Sequence, residues 1–350
     1  MLANTPAYLN AIFFAVGLLV IIKGSDLFLD SAVWMARSSG VSQLIIGATI
    51  VSVCTTLPEA ISSLTASLKG AGDMALGNAL GSIICNSGFI LGFMLLFVTA
   101  KIRRKPFIVR GIFLLSLLIL TFLLALPTPL FQSIRLVPPP FEITRLGGAV
   151  LLLGVVLYLA VTYWECRHEA QDEREEAPES EAESEAEDVL DGQPSGTWRQ
   201  HLSRFALGGA LVAIGAYLLI EFGQRLARNV GVSEAVISLL FVAFGTSLPE
   251  LFTAISAVRK RAHDISVGNV VGANVLNIAL VTGGASAARP LLIQDPLLIR
   301  FDLPFAFGLC LLVFLEGAIF GKIGKKTGLV LVFAYISYLG SMLLLGRLGA

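Results

Sequence analysis

One segment of this chain occurs twice. Residues Gly24 to Gly92 recur as Gly215 to Gly283, at a constant offset of 191 residues and without a gap. Chance similarity between apolar helices would match Leu with Leu and would not repeat a Pro-Glu pair. The chain is therefore built from two related halves. The centre of each copy is a short polar motif inside a long apolar run: Thr55-Thr56-Leu57-Pro58-Glu59 in the first and Thr246-Ser247-Leu248-Pro249-Glu250 in the second.

The apolar content of the chain determines its class. Hydrophobic residues make up 55% of 350 residues, and the mean hydropathy is +0.81. This is more than a soluble core can bury, so we predict a polytopic membrane protein. The first apolar stretch has no basic residue before it and continues into a repeat, which favours a spanning helix over a cleaved signal peptide.

The apolar runs predict the number of helices and their arrangement. A span needs about 20 apolar residues. Five runs lie in each half, and an odd number per half means that the second half enters the membrane from the opposite side. We therefore predict an all-α polytopic membrane protein with ten transmembrane helices as two inverted five-helix repeats. The predicted helices are 7–36, 40–69, 73–99, 107–126, 142–164, 203–229, 232–260, 264–288, 300–320 and 326–346.

The charges predict a domain organisation and an orientation. Of the 25 acidic residues, 13 lie between Glu165 and Asp191, in a stretch with little to bury. We interpret 165–200 as an acidic linker between a first half, 1–164, and a second half, 201–350. The repeats proper are about 40–92 and 231–283. One set of alternate connections holds sixteen Lys and Arg residues against eight in the other, which predicts both termini outside and a cytoplasmic linker.

The repeated motif predicts a cation site. Proline removes a backbone donor, so we expect each helix to break or kink just before its Glu and to free carbonyl oxygens. Hydroxyls and carboxylates add further hard oxygen ligands, which suit calcium and also sodium. Each Glu is followed 27 residues later by an Asn that could face the same cavity. The candidate ligands from the motif and its spacing are Thr55, Thr56, Glu59, Thr246, Ser247, Glu250, Asn86 and Asn277.

The cost of intramembrane acids favours function over packing for the two glutamates. A carboxylate at the bilayer centre costs about 2.5 to 3.5 kcal/mol on insertion scales. Lys23 is the only basic residue that we place within a span, and its repeat counterpart is Ile214. Because a symmetric pair of internal salt bridges is excluded, a mobile cation is the remaining partner. For the Gly and Asn of the GNxxG segments after each motif, close packing and interhelical hydrogen bonds are the favoured interpretation.

The motifs also resemble a known family. TTLPE and TSLPE, followed by GNALGSIICN and GNVVGANVLN, resemble the two alpha-repeats of the calcium:cation antiporter superfamily, and within it the prokaryotic sodium/calcium exchangers. The resemblance implies that Glu59, Glu250, Thr55 and Thr246 form the central site and that the first and sixth helices move across it. It further implies flanking sodium positions shaped by Thr56, Ser247, Ser82, Asn86 and the carbonyl of Ala243.

Three positions depart from the family pattern. Cys54 stands where the motif usually has Gly, as at Gly245. Ala273 replaces the Ser that would match Ser82 and so deletes one oxygen. Asn277 stands where some exchangers carry Asp, which leaves two motif carboxylates, enough to neutralise one calcium ion.

The predicted function is exchange of Ca²⁺ for Na⁺ by alternating access, without a cofactor, an enzymatic activity or a nucleic-acid partner. The partners are Ca²⁺ and Na⁺ ions and the lipid bilayer. A proton/calcium antiporter of the same superfamily is the nearest alternative, although all three His residues lie in connections. A passive cation channel is less favoured because filters usually surround an axis of identical subunits. A membrane-embedded enzyme ranks last, since HExxH and GxSxG motifs are absent from the sequence.

Overall fold

Ten helices make up nearly all of the part of the chain that the computed structural model describes, namely residues 6–39, 41, 43–126, 141–176, 197–229 and 245–344. Eight of them are long and apolar enough to cross a membrane. The protein is therefore a helical polytopic membrane protein. The helices are α1 (Ala7–Ser39), α2 (Gln43–Leu68), α3 (Gly72–Phe97), α4 (Arg104–Ala125), α5 (Arg145–Glu176), α6 (Trp198–Asn229), α7 (Leu248–Arg259), α8 (His263–Ala288), α9 (Leu298–Phe320) and α10 (Lys325–Leu344).

The predicted helices correspond one to one with these ten. Wherever both predicted ends fall on described residues, the bounds agree to within five residues, except at the end of α5. That helix continues to Glu176, beyond the predicted end at residue 164, because Glu, Gln, Arg and Ala are good helix formers. The first part of the predicted helix 232–260, and the end of the predicted helix 326–346, lie outside the described residues.

Helices α1 and α6 pack against each other through glycines. A Cβ added at Gly17 would lie 3.3 Å from the carbonyl oxygen of Gly215, and one added at Gly24 would lie 3.1 Å from that of Gly208. The later residue of α1 meets the earlier residue of α6, so the two helices run antiparallel. These four glycines are also repeat counterparts, since Gly17 matches Gly208 and Gly24 matches Gly215 at the offset of 191 residues.

Two short antiparallel strand pairs join the helix ends. Strand β1 (Ala100–Lys101) pairs with β4 (Lys322–Ile323), and β2 (Phe141–Ile143) pairs with β3 (Leu291–Ile293). Each pair connects the segment after a repeat to the segment before the last helix of the other half. The backbone groups at these helix ends thus find partners in the other half of the chain.

Helix α8 occupies the middle of the structure. Almost all of its membrane-length segment is buried, whereas α1, α4, α5 and α9 are buried over only about a third of theirs. Large apolar side chains on the outer helices, such as Ile112, Leu153 and Phe333, are exposed. Such exposed apolar faces suit contact with lipid, and the polar side chains described below lie on the buried central helices.

A polar cluster ties α1 to the end of α7. Ser256 Oγ donates a hydrogen bond to Asp26 Oδ1 at 2.6 Å, and the Lys260 ammonium pairs with Asp30. The repeat counterpart of Asp30 is Glu221, which pairs with Arg225 of its own helix. The two halves therefore differ in how their equivalent acidic residues are used.

Candidate cation site

Helix α2 carries the first motif without a break. A π-helical turn spans Gly47–Val51, and α-helix then runs continuously from Ser52 to Leu68 with Pro58 inside it. The predicted break before Glu59 is therefore absent, because the helix is continuous through Pro58. Proline removes the single ladder bond to the carbonyl of Cys54, and the rest of the turn stays helical.

The second motif lies at the start of a helix, α7, and not in the middle of one. Residues Gly245 to Ser247 form a turn, and the helix begins at Leu248 with Pro249 in its first turn. The helix thus begins two residues before Glu250, and the part of the predicted helix that precedes Gly245 lies outside the described residues. Proline suits the first turn of a helix, where its missing N–H would have no partner. Gly245 also has a lower helix propensity than its counterpart Cys54, which favours a turn before the motif in the second copy.

Two hydrogen bonds join the motifs to the opposite repeat. Thr55 Oγ1 donates to Asn269 Oδ1 at 3.3 Å, and Thr246 Oγ1 donates to Asn78 Oδ1 at 3.5 Å. Each bond is the repeat counterpart of the other. Asn78 also donates to the carbonyl oxygen of Glu59 at 3.3 Å. The GNxxG asparagines thus serve as interhelical hydrogen-bonding residues, as predicted.

The two motif carboxylates lie together in the interior. Glu59 and Glu250 are both fully buried, and they are close enough to repel each other electrostatically. Glu59 lies beside the hydroxyl of Ser82 and Glu250 beside that of Thr55, but neither contact has the geometry of a hydrogen bond. All four carboxylate oxygens lack a hydrogen-bond partner among the described residues. Burial of such groups is unfavourable unless a positive charge accompanies them.

Further buried polar atoms without partners lie in the two motifs and in the helices that follow them. Thr56, Ser247, Ser82, Asn86 and Asn277 are each at most 1% exposed. Within the described part of the chain, their hydroxyl oxygens, the Oδ1 of Asn86 and both amide atoms of Asn277 make no hydrogen bond. Together with the carboxylates they offer hard oxygen ligands of the kind that calcium and sodium prefer. Ala243, the remaining predicted ligand, lies outside the described residues.

A basic residue is buried within a span, contrary to the prediction that Lys23 is the only one there. Arg110 of α4 is 2% exposed, and its Nη2 lies 2.8 Å from Oε2 of Glu165 in α5. Arg110 is one of the sixteen basic residues that the charge count placed in connections, although the predicted helix 107–126 includes it. Since Arg110 pairs with Glu165, this residue leaves the argument about Glu59 and Glu250 unchanged.

The structure also identifies a polar residue that the sequence interpretation missed. Asn274 of α8 is 2% exposed and accepts a hydrogen bond from Asn86 Nδ2 at 3.3 Å. Its counterpart in the first repeat is Ile83, so comparison of the two copies gave it no weight. The signal that could have identified it was a polar side chain within a predicted membrane span.

Comparison with known proteins identifies the family. Residues 9–164 and 201–344 match the family model described as sodium/calcium exchanger protein. The chain belongs to this family. The family's exchangers are transporters and not enzymes.

Two relatives and one solved structure illustrate the extent of the similarity. The sodium/calcium exchanger MaX1 of Methanosarcina acetivorans is 30% identical over 342 residues, covering 94% of this chain and 97% of that protein. The inner membrane protein YrbG of Escherichia coli is 35% identical over 280 residues, covering 79% and 78%. The structure of the sodium-calcium exchanger NCX_Mj soaked with zero Na⁺ and Ca²⁺ has a TM-score of 0.76 and 26% identity, covering 96% of this chain and all of that one. The exchanger fold thus extends over nearly the whole chain.

Proposed function

We propose that this protein is a secondary active antiporter that exchanges Ca²⁺ for Na⁺. The observation that carries the proposal is the pair of buried carboxylates, Glu59 and Glu250, whose four oxygens have no hydrogen-bond partner among the described residues. Two carboxylates match the charge of one calcium ion. The names of MaX1 and NCX_Mj, both sodium/calcium exchangers, support the same choice of ions.

We further infer that the cations share one set of ligands. The carboxylates of Glu59 and Glu250 and the backbone oxygens of Thr55 and Thr246 would hold Ca²⁺. Sodium would use the same carboxylates and the flanking oxygens of Thr56, Ser82, Asn86, Ser247, Asn277 and the Ala243 carbonyl. Because both cations need the same carboxylates, one must leave before the other binds, and this competition couples the two fluxes.

Alternating access follows from an inverted arrangement of the two halves. We propose that all ten helices span the membrane as two inverted five-helix repeats, 1–164 and 201–350, joined by the acidic segment 165–200. The antiparallel packing of the repeat counterparts α1 and α6 supports this inversion. The Lys and Arg distribution supports an orientation with both termini outside and the acidic segment in the cytoplasm.

A flux assay separates sodium from proton coupling. In proteoliposomes with a collapsed proton gradient, we expect an outward sodium gradient to drive uptake of radioactive calcium against its own gradient. The same vesicles with equal sodium on both sides should show no accumulation. Accumulation driven by a proton gradient alone would favour proton/calcium antiport. Dissipation of a calcium gradient without counterflow of any cation would indicate a channel.

A further inference from the structure

Asn274 lies between the proposed cation site and α9. Its Oδ1 accepts from Asn86 Nδ2 at 3.3 Å, and its Nδ2 donates to Ser87 Oγ at 2.7 Å. Ser87 Oγ in turn lies 3.5 Å from Cys310 Sγ on α9. All four side chains are at least 95% buried. In this arrangement each end of the Asn274 amide has its own partner, and its oxygen faces Asn86.

The orientation of Asn274 determines that of Asn86. An asparagine amide has an acceptor oxygen at one end and a donor NH₂ at the other. Since Asn86 Nδ2 is used by Asn274, Asn86 Oδ1 is left at the opposite end, buried and without a hydrogen bond among the described residues. Asn86 follows Ser82 by one helical turn, and Ser82 lies beside the Glu59 carboxylate. Asn86 Oδ1 is thus on the helix face that carries the cation ligands.

The second repeat lacks this arrangement. Asn277 is the counterpart of Asn86, and the residue equivalent to Asn274 is Ile83, which cannot form a hydrogen bond through its side chain. Both amide atoms of Asn277 lack partners in the described part of the chain. Of the two equivalent asparagines, only Asn86 has its amide held by a neighbour that dictates which end faces the site.

We propose that Asn274 is a positioning residue for cation binding, which holds the Asn86 amide so that its oxygen faces the bound ion. This inference rests on the proposed function. Without Asn274, the Asn86 amide is free to rotate by 180° and to present its NH₂ group, a donor that repels a cation. Ordering the ligand before the ion arrives removes this cost from binding.

Calcium titration of purified protein tests the proposal without a transport assay. Asn274→Ile, which copies Ile83, is expected to weaken calcium binding about tenfold, or about 1.4 kcal/mol. Asn274→Asp keeps the acceptor for Asn86 Nδ2 and should not weaken binding. Ser286→Ala is a matched control, because it removes a buried 2.7 Å hydrogen bond to the Thr282 carbonyl in the same helix. Its calcium affinity should equal that of the wild type.

A double-mutant cycle separates positioning from general packing. In an Asn86→Asp background both ends of the side chain carry oxygen, so there is no orientation to lose. Asn274→Ile should then change calcium affinity by less than about twofold, although it costs tenfold in the wild-type background. Equal losses in both backgrounds, or no loss in either, would overturn the proposal. If the Ile variant does not fold, a loss of affinity in Asn274→Asp would overturn it instead. Absence of calcium binding by the wild type would refute the proposed function itself.

Discussion

Replacement of Glu59 or Glu250 by Gln is expected to reduce sodium-driven calcium uptake at least ~100-fold. Each change removes one of two buried negative charges and substitutes an NH₂ donor for an oxygen that would face the proposed cation. A calcium ion would then lie in the bilayer interior with half of its charge uncompensated, which is severely unfavourable. The measurement is radioactive calcium uptake into proteoliposomes under an imposed sodium gradient.

A second acid in an apolar helix provides the control. Glu316 of α9 is partly buried and accepts a hydrogen bond from the Gly324 N–H at 3.2 Å, which Gln can also accept. Glu316→Gln should therefore retain uptake within about twofold of the wild type. If either motif variant transported calcium like the wild type, the assignment of the two glutamates to the cation site would be abandoned.

Gly272→Ala is expected to destabilise the protein by about 3 kcal/mol, at the upper end of the range for overpacked cores. A Cβ at this position would lie 2.3 Å from the carbonyl oxygen of Ala48 and 2.7 Å from its carbonyl carbon. These are backbone atoms of the π-helical turn in α2, so the whole segment would have to move. Thermal unfolding in detergent should show a midpoint lower by roughly 5 to 10 °C.

Gly308→Ala in α9 is the matched control for this change. Apart from the adjoining backbone of its own helix, no atom of the described residues lies within 4 Å of a Cβ added at Gly308. Since alanine is the better helix former, the midpoint should stay the same or rise. An unchanged midpoint for Gly272→Ala would show that α2 and α8 can separate at little cost. Displacement of α2 would also weaken the Thr55–Asn269 contact, so calcium affinity should fall together with stability.

The sequence predicted the helices and the centre of the site because the signals there are strong. An acidic residue within an apolar run indicates function because a carboxylate in the membrane interior is energetically unfavourable. Its recurrence at a fixed offset identified Glu59 and Glu250 as a pair. The buried positions of these residues and of Thr55 and Asn86 agree with that interpretation, while their roles as ligands stay a prediction. Local backbone geometry was harder to predict. Nothing in the residues Gly47 to Val51 distinguishes a π-helical turn from an α-helical one.

The remaining incorrect predictions concern residues that differ between the repeats and residues near helix ends. Pro58 and Pro249 occupy equivalent positions, yet only the second lies at a helix start, because the difference between Cys54 and Gly245 affects the turn before it. Asn274 was not predicted because the site was inferred from polar residues that match between the repeats, and the counterpart of Asn274 is Ile83. Arg110 was placed in a connection because basic residues near span ends usually reach water, whereas its partner Glu165 lies on the neighbouring helix.

The glycine contacts between α1 and α6 have a mechanical consequence. At Gly17 and Gly24 the backbone of α1 packs directly against α6, and at Gly208 an added Cβ would lie 2.6 Å from the Phe28 nitrogen. Close packing along two successive turns resists any change in spacing or tilt within this pair. We therefore expect a displacement of α1 to be shared by α6, so that the two helices move as one rigid unit relative to the rest of the protein.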